Sequence, residues 1–299
     1  MHFLTKEQKL IARIKAMVGP SGRFIGDDCA VLPGKMLVTT DTLVEGTHFS
    51  LAWTDFRDLG WKAMTVNLSD IAAMAGIPKY ALIVLSAPEK VYSGKNIISL
   101  YEGLTDCAKQ YNTAIVGGDI ARGPNLAITI TIIGQGHEAG VLMRSGARAG
   151  DAVVVTGDFG ASNAGLRLLQ DSANSMICKD GNSISDRTVP MGLEYKHCLD
   201  QFLRPLAKIK AASQLVERIA SRGALMDTSD GLADALLQIA QASDIGMRID
   251  LQTIPIHEQT LRFAHKHNLD PLELALYGGE DYELIACLPE NKWLTGQKR

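Results

Sequence analysis

The sequence contains no apolar run approaching the roughly 18 residues needed to span a bilayer. Residues 1–8 have no apolar core preceded by positive charge, so they do not resemble a secretory signal. Disulfides are equally unsupported, because the five cysteines are an odd number, lie far apart and form no Cys-x-x-Cys pair. We therefore expect a cytoplasmic protein without disulfides or a structural zinc site.

A strong charge of either sign is also missing. The formal net charge is -3, and lysine and arginine are scattered without a basic stripe, so a nucleic-acid partner is not expected. The GxxxxGK[ST] loop of many nucleotide-binding proteins is absent, and residues 93–96 do not supply it. The protein-kinase combination of HRD and DFG motifs is absent too. The substrate is expected to be small, and phosphate groups must be handled by other means.

What is present is an ordinary globular composition, with 46% hydrophobic and 21% charged residues in 299 positions. We predict two domains of the α/β (α+β) class, at 1–136 and 151–299, joined by a glycine- and charge-rich linker at 137–150. Periodicity and turn residues predict helices at 57–75, 99–110, 162–170, 207–222, 231–243 and 257–267, after a first helix that a capping box of Thr5 and Gln8 opens. Strands are predicted at 36–44, 81–86, 114–116, 126–134, 152–156, 246–251 and 284–288. Residues 171–190 are interpreted as an irregular, mobile insertion.

Aspartates recur at the edges of these apolar strands and helices: Asp27, Asp28, Asp41, Asp70, Asp119, Asp227 and Asp230. Two carboxylates about 4 Å apart repel by roughly 4 kcal/mol at an effective dielectric of about 20, so a convergent set requires a positive partner. Hard oxygen ligands without histidine or cysteine favour magnesium or calcium, and magnesium is the usual companion of ATP phosphates.

Each of these sites has a structural alternative. Asp227 and Asp230 could cap the helix that begins near Gly231. The segment 26–28 could be a simple turn, and 117–119 could be either a tight turn or a close backbone approach to phosphate. Asp70, in mid-helix, is either on a solvent face or a ligand, and it shares a helix face with Asn67.

Two basic residues also have alternative interpretations. His48 could be a hydrogen-bonded structural histidine or a functional residue. Arg144 could be a surface residue or a fork that binds phosphate.

Seven ordered segments across nearly the whole chain resemble the thiamine-monophosphate kinase family. They are Gly26–Ala30, Thr40–Phe49, Asn67–Met74, Gly117–Asp119, Arg144–Ala147, Met226–Leu232 and Gly278–Leu284. The resemblance implies the fold shared with aminoimidazole ribonucleotide synthetase and selenophosphate synthetase. In that fold the first domain builds a β-barrel-like core with the same domain of a second subunit, and the second domain is α/β.

The resemblance also implies an activity. The γ-phosphoryl group of ATP would pass in line to the phosphate of thiamine monophosphate, giving thiamine diphosphate and ADP. Because the attacking phosphate oxygen is already ionised, charge neutralisation and alignment are needed and no general base is assigned. The implied cofactor is a set of Mg²⁺ ions, and the implied assembly is a homodimer.

Functional residues follow from the resemblance, position by position. Metal ligands would be Asp28, Thr39, Thr40, Asp41, Asp70, Asp119, Asp227 and Asp230. ATP contacts would be Gly118, Asp119, Arg144 and Ser229, with Tyr101 a weaker candidate. Substrate contacts would be His48 and Glu280.

The sequence departs from the family pattern in one place. It stops soon after Leu284, whereas the family usually continues with a helix and strands that supply an aromatic contact to thiamine, so we expect a second domain shortened at its end. Other enzymes of the same fold are less well matched, because the reactive cysteines of selenophosphate synthetase and of the hydrogenase-maturation member are not found at the corresponding places. A nucleotide-binding protein without turnover is the non-enzymatic alternative.

Overall fold

The computed structural model describes residues 5–92, 94–180, 193–219 and 222–294. Its strands are β1 (Ala30–Leu32), β2 (Met36–Val44), β3 (Gly76–Ala87), β4 (Ala114–Arg122), β5 (Ala127–Gly136), β6 (Asp151–Val155), β7 (Ala224–Asp227) and β8 (Leu284–Pro289). Its helices are α1 (Lys6–Met17), α2 (Phe56–Ala73), α3 (Gly94–Gln110), α4 (Ala161–Asp180), α5 (Lys196–Leu203), α6 (Ile209–Ile219), α7 (Leu232–Ser243), α8 (Glu258–Lys266), α9 (Pro271–Tyr277) and α10 (Glu290–Leu294). Across these described ranges no helix is both long and apolar enough to cross a membrane.

The first half is built on a five-stranded sheet in the order β1-β2-β5-β3-β4. Its pairs are antiparallel except for β3 and β4, which run parallel. Period-2 alternation sends Ile128, Ile130 and Ile132 of β5 into a core covered by helices. Within the described chain the sheet does not close, because β1 and β4 are free edges.

The opposite face of this sheet is open. On β3, Ala81, Ile83 and Leu85 are fully buried, while the alternate residues Tyr80, Leu82 and Val84 are exposed by 51%, 37% and 39%. An apolar row of this kind on a sheet face marks a surface suited to contact with another protein.

Helix α2 is central to the molecule. Asp55 caps it by accepting a hydrogen bond of 2.8 Å from the backbone N–H of Asp58. Of its 18 residues 13 are buried, since it packs on β2, β5 and α3 of the first half and on β7 and α6 of the second. The second half holds a smaller antiparallel sheet in the order β6-β8-β7, whose two faces are covered by separate apolar clusters.

Most of the predicted elements are confirmed, including the capping box of α1, in which Thr5 and Gln8 exchange hydrogen bonds. None of the residues of α1 is buried. The mixed α/β class is confirmed as well, with strands and helices in both halves.

Three predictions of secondary structure are wrong. Strand β4 does not end at residue 116 but continues to Arg122, so Gly118 lies within it. The reason is steric: a Cβ at Gly118 would lie 1.7 Å from the backbone oxygen of Ile83, so only glycine permits this strand pair. The helix predicted at 162–170 extends to Asp180, which removes half of the predicted irregular insertion. Residues 181–192 lie outside the described residues.

The third error is the strand at 246–251, which is absent. Met247 and Ile249 alternate as in a strand and pack against the cluster around β7 and α7. In the described chain they join no ladder: β6 pairs with β8, and β7 pairs with β8 on one side and bridges to Met143 on the other. Alternating apolar residues indicate that one side of a segment is buried. They do not show that the segment pairs with another strand.

Candidate functional site: an acidic cavity between the two sheets

A cavity of about 990 Å³ lies where β2 and α2 meet the loops after β7 and α9. Eleven of the residues predicted from the sequence line it: Asp28, Thr39, Thr40, Asp41, His48, Asp70, Arg144, Asp227, Ser229, Asp230 and Glu280. These residues lie up to 252 positions apart in the sequence, from 28 to 280, so the fold gathers them.

Strand β2 and helix α2 position the first group of side chains. The hydroxyl of Thr39 donates a hydrogen bond of 2.5 Å to the Asp70 carboxylate, and Asn67 accepts one of 2.9 Å from the backbone N–H of Asp41. Asn67 and Asp70, spaced i and i+3, therefore face β2 together, as their spacing predicts. Of the two alternatives for Asp70, the solvent face is excluded.

The second sheet contributes Asp227, the last residue of β7, which is 1% exposed. Ser69 donates a hydrogen bond of 2.6 Å to it. The carboxylates of Asp28, Asp70 and Asp227 offer oxygen atoms that all lie within 4.8 Å of one another. Three acidic side chains from a loop, a helix and a strand thus converge on one point.

Burial and mutual repulsion disfavour the charged forms of these carboxyl groups. Burial and the neighbouring Asp28 raise the pKa of Asp227 to about 7. The same two causes raise the pKa of Asp41, and burial together with Asp227 raises the pKa of Asp70 well above its ordinary value. The cluster therefore binds protons or cations more readily than isolated carboxylates do.

Arg144 supplies positive charge beside this cluster. Its guanidinium donates to both oxygens of Asp28, at 2.5 and 3.3 Å, and to the side-chain oxygen of Gln238 at 2.6 Å. Its backbone N–H lies 3.2 Å from the Asp27 carboxylate. The side chain is only 18% exposed, which excludes the alternative of a plain surface residue. A planar fork held at the cavity wall is suited to binding phosphate oxygens.

The loop before β8 forms another part of the wall. The backbone N–H of Glu280 donates a hydrogen bond of 2.7 Å to the carbonyl oxygen of Ser229. Glu280 and Tyr282 both have positive φ angles, of 58° and 51°, which side-chain-bearing residues seldom adopt. Strained backbone of this kind recurs at ligand sites.

His48 makes a structural hydrogen bond and also lines the cavity. Its Nδ1 accepts a hydrogen bond of 3.1 Å from the backbone N–H of Val44, so the ring is held by local structure. The side chain nevertheless lines the cavity. The capping alternative for Asp227 and Asp230 is not observed, because Gly231 precedes α7 without a side-chain cap.

Three predicted residues lie outside the cavity. Gly118 and Asp119 are exposed on the edge strand β4, and Asp119 pairs through Val84 and Thr129 with Thr42. At about 4.8 Å per strand, that register separates Asp119 from Thr42 by roughly 14 Å. Tyr101 lies on α3 and packs partly against the core of the first half. Their assigned contacts remain predictions.

Several lining or supporting residues were not assigned a role from the sequence, among them Lys62, Ser69, Gln238 and Tyr282. Lys62, Val66 and Ser69 are spaced i, i+4 and i+7 and therefore share one helix face. Polar side chains on that face would have indicated a functional contact. No local signal marks Gln238, whose contact with Arg144 joins residues 94 positions apart.

The donor set can be compared with the requirements of divalent cations. Carboxylate and hydroxyl oxygens line the cavity, and the buried Cys29 uses its thiol to donate a hydrogen bond to the backbone oxygen of Asp70. Oxygen ligands with several negative charges fit Mg²⁺ and not softer metals. Asp28, Asp70 and Asp227 could hold such an ion, with Thr39, Thr40, Asp41 and Asp230 beside them.

Comparisons with known proteins agree with this geometry. Two family models match the chain: AIR synthase related protein, N-terminal domain, over residues 26–136, and AIR synthase related protein, C-terminal domain, over residues 148–296. The molecule is thus a two-domain protein of the AIR synthase-related class, with mixed α/β structure.

Curated relatives identify the family within that class. The chain is 36% identical over 274 residues to the thiamine-monophosphate kinase of Bacillus subtilis, covering 90% of this chain and 78% of that protein. It is 38% identical over 270 residues to the thiamine-monophosphate kinase of Escherichia coli strain K12, covering 89% and 76%. A solved structure described as AaThiL complexed with AMPPCP and TMP superposes with a TM-score of 0.83 at 32% identity, covering 98% of this chain and 89% of that one. The chain belongs to the thiamine-monophosphate kinase family.

Proposed function

We propose that this chain transfers the γ-phosphoryl group of ATP to thiamine monophosphate, giving thiamine diphosphate and ADP. The observation that carries the proposal is the convergence of Asp28, Asp70 and Asp227 within 4.8 Å beside the Arg144 fork, in a chain of this family. The related structure with AMPPCP and TMP supports the same pair of substrates, a nucleoside triphosphate and a phosphate acceptor.

Magnesium, the usual companion of ATP phosphates, is the proposed cofactor. Asp28, Thr39, Thr40, Asp41, Asp70, Asp227 and Asp230 are proposed to hold Mg²⁺, as is Asp119 from the edge strand. When bound, the ions would neutralise the charge of the triphosphate and of the developing transition state. Without them the raised pKa values of Asp70 and Asp227 would leave part of the cluster protonated near neutral pH.

The chain's own residues bind and align the two phosphates. Arg144 and Ser229 are proposed to contact the phosphate groups of ATP, with Gly118, Asp119 and Tyr101 serving the remainder of the nucleotide. His48 and Glu280 are proposed to hold the acceptor. An oxygen of the acceptor phosphate forms the new bond to the γ-phosphorus, while the bond from that phosphorus to the β-γ bridging oxygen breaks and ADP leaves. Because this oxygen is already ionised, no side chain needs to remove a proton.

A second copy of the chain is proposed to cover the open face of the first sheet. The exposed row of Tyr80, Leu82 and Val84 supports this assembly, because monomers seldom leave a contiguous apolar sheet face in water. Two such sheets facing each other would give the barrel-like core. We also propose that the chain has domains at 1–136 and 151–299 and a cytoplasmic location.

The direct test is a product assay with ATP, Mg²⁺ and thiamine monophosphate. We expect equal amounts of thiamine diphosphate and ADP by liquid chromatography. Thiamine is the control acceptor, because it lacks the phosphate oxygen that attacks, and it should give no product. Formation of ADP without thiamine diphosphate would contradict the proposal.

A further inference from the structure

Helix α2 carries a lysine in a place where a charge is costly. Lys62 is 1% exposed and is among the large side chains that are fully buried. Burying an ammonium group costs several kcal/mol unless a partner of opposite charge compensates it. A lysine in such a position therefore needs a specific reason.

Its partner is a residue of the cavity wall. The ammonium Nζ lies 3.0 Å from Oε2 of Glu280, in a hydrogen bond that joins residues 218 positions apart. The ring of Phe202, on α5, also contacts the ammonium, with 3.5 Å between Nζ and the ring centroid. A charge-assisted hydrogen bond and a cation–π contact together hold the ammonium in one place.

The exposure of the two partners differs. The side chain of Glu280 is 26% exposed and lines the cavity, whereas Lys62 has no access to it. Among the described residues Glu280 Oε2 is tied to Lys62, and no hydrogen bond reaches its other oxygen, Oε1. Glu280 therefore has one carboxylate oxygen held by Lys62 and another that is available to bind a ligand at the edge of the cavity.

The helix geometry explains how Lys62 reaches this wall. Lys62, Val66 and Ser69 lie at i, i+4 and i+7 and share one face of α2, the face turned to the second half. At the other end of this row Ser69 hydrogen-bonds Asp227, and Val66 lines the cavity between them. One helix face thus supports both the acidic cluster and Glu280.

We propose that Lys62 is a positioning residue for the acceptor substrate: it fixes Oε2 of Glu280 so that Oε1 is held ready to bind the thiamine portion of thiamine monophosphate. That portion carries a thiazolium cation and an amino group, and a carboxylate oxygen is a suitable partner for either. The inference rests on the proposed function, since it concerns the acceptor side of the same cavity. Burial lowers the pKa of Lys62, and the neighbouring Glu280 carboxylate partly offsets that effect.

The test compares Lys62→Met, Glu280→Gln and the double variant, with Trp61→Phe as a matched control. Trp61 neighbours Lys62 on α2 and donates a hydrogen bond of 2.8 Å to the carbonyl oxygen of Pro205, so its loss loosens the same helix without touching Glu280. The values measured are kcat and KM for thiamine monophosphate, KM for ATP, and Tm.

We expect Lys62→Met to raise KM for thiamine monophosphate about tenfold and to leave KM for ATP unchanged. In the Glu280→Gln background the same change should add little, because Lys62 acts through Glu280. Trp61→Phe should lower Tm without altering either KM. Should Lys62→Met fail to fold, Lys62→Gln provides the same comparison.

An unchanged KM for thiamine monophosphate in an active Lys62→Met variant would overturn the inference, and so would an equal tenfold effect in both backgrounds. A parallel rise of both KM values would indicate a general structural role and overturn it too. If the wild-type chain itself made no thiamine diphosphate, the proposed function would fail, and this inference with it.

Discussion

Ser69 donates a hydrogen bond of 2.6 Å to Asp227, and this contact ties helix α2 of the first half to the end of β7 in the second. The neighbour of Ser69 in sequence, Asp70, belongs to the same acidic cluster as Asp227. The relative position of two carboxylates from different halves therefore depends on a buried serine between them.

Substitution of Ser69 by alanine should destabilise the protein. The change leaves the fully buried Asp227 without its hydroxyl donor, which costs about 1–3 kcal/mol. Equilibrium urea unfolding measures the difference. Ser50→Ala, in a loop outside the cavity, is the control. A loss of stability no larger than that of the control would show that the contact is not required.

Asp70→Asn should abolish turnover while leaving the fold intact. Asn67 and Thr39 remain to hold α2 against β2, and the neutral amide removes the repulsion between Asp70 and Asp227. Circular dichroism and Tm in the absence of divalent ions check the fold, and the product assay checks activity. Activity near that of the wild type would refute the metal role assigned to Asp70.

Stability without divalent ions should fall as pH rises from about 4 through about 7. The folded-state pKa values of Asp27 and Asp227 are raised to about 6 and about 7, chiefly by burial and then by Asp28. A carboxyl group whose folded pKa is raised binds more protons in the folded state, so its stabilising effect is present at low pH and is lost as pH rises through the folded value.

Tm measured with EDTA across this pH range checks the direction, and Asp227→Asn should flatten the slope. Added Mg²⁺ should reverse the loss at neutral pH, because the ion binds the deprotonated form. A Tm that increased steadily with pH in EDTA would contradict the assignment of these carboxyls.

A charge on the open face of the first sheet should separate the proposed dimer. Val84→Arg places a guanidinium in the apolar row of β3, which a partner sheet could not accept without burying the charge. Light scattering after size-exclusion chromatography should give a dimer for the wild type and a monomer for the variant. Leu237→Arg, at a position 59% exposed on α7, is the control and should stay dimeric. A wild-type protein that is monomeric in solution would contradict the proposed dimer.

Local spacing predicted part of the site well. Asn67 and Asp70 were expected to share a helix face from their spacing alone, and both contact β2. The strand of residues 36–44 was identified from its β-branched run with the same limits as in the structure. Such features depend on residues within a few positions of one another, so a single sequence carries them.

Other features depend on partners that local patterns do not encode. The alternation at 246–251 resembles a strand, but the segment packs on the apolar cluster without hydrogen-bonding to the small sheet. The strand assigned to 114–116 was too short because Gly117 and Gly118 resemble a turn, whereas close approach of the backbone to Ile83 requires glycine at position 118. The contacts of Arg144 with Gln238 and of Lys62 with Glu280 join residues 94 and 218 positions apart, and only the assembled fold brings them together.

One measurement tests most directly whether the acidic cluster holds divalent ions. It is the rate of thiamine diphosphate formation from ATP and thiamine monophosphate as Mg²⁺ is removed and restored. We expect product with Mg²⁺, none in excess EDTA, and recovery when Mg²⁺ is added back. Turnover that continued at the same rate in EDTA would contradict the metal role of the cluster.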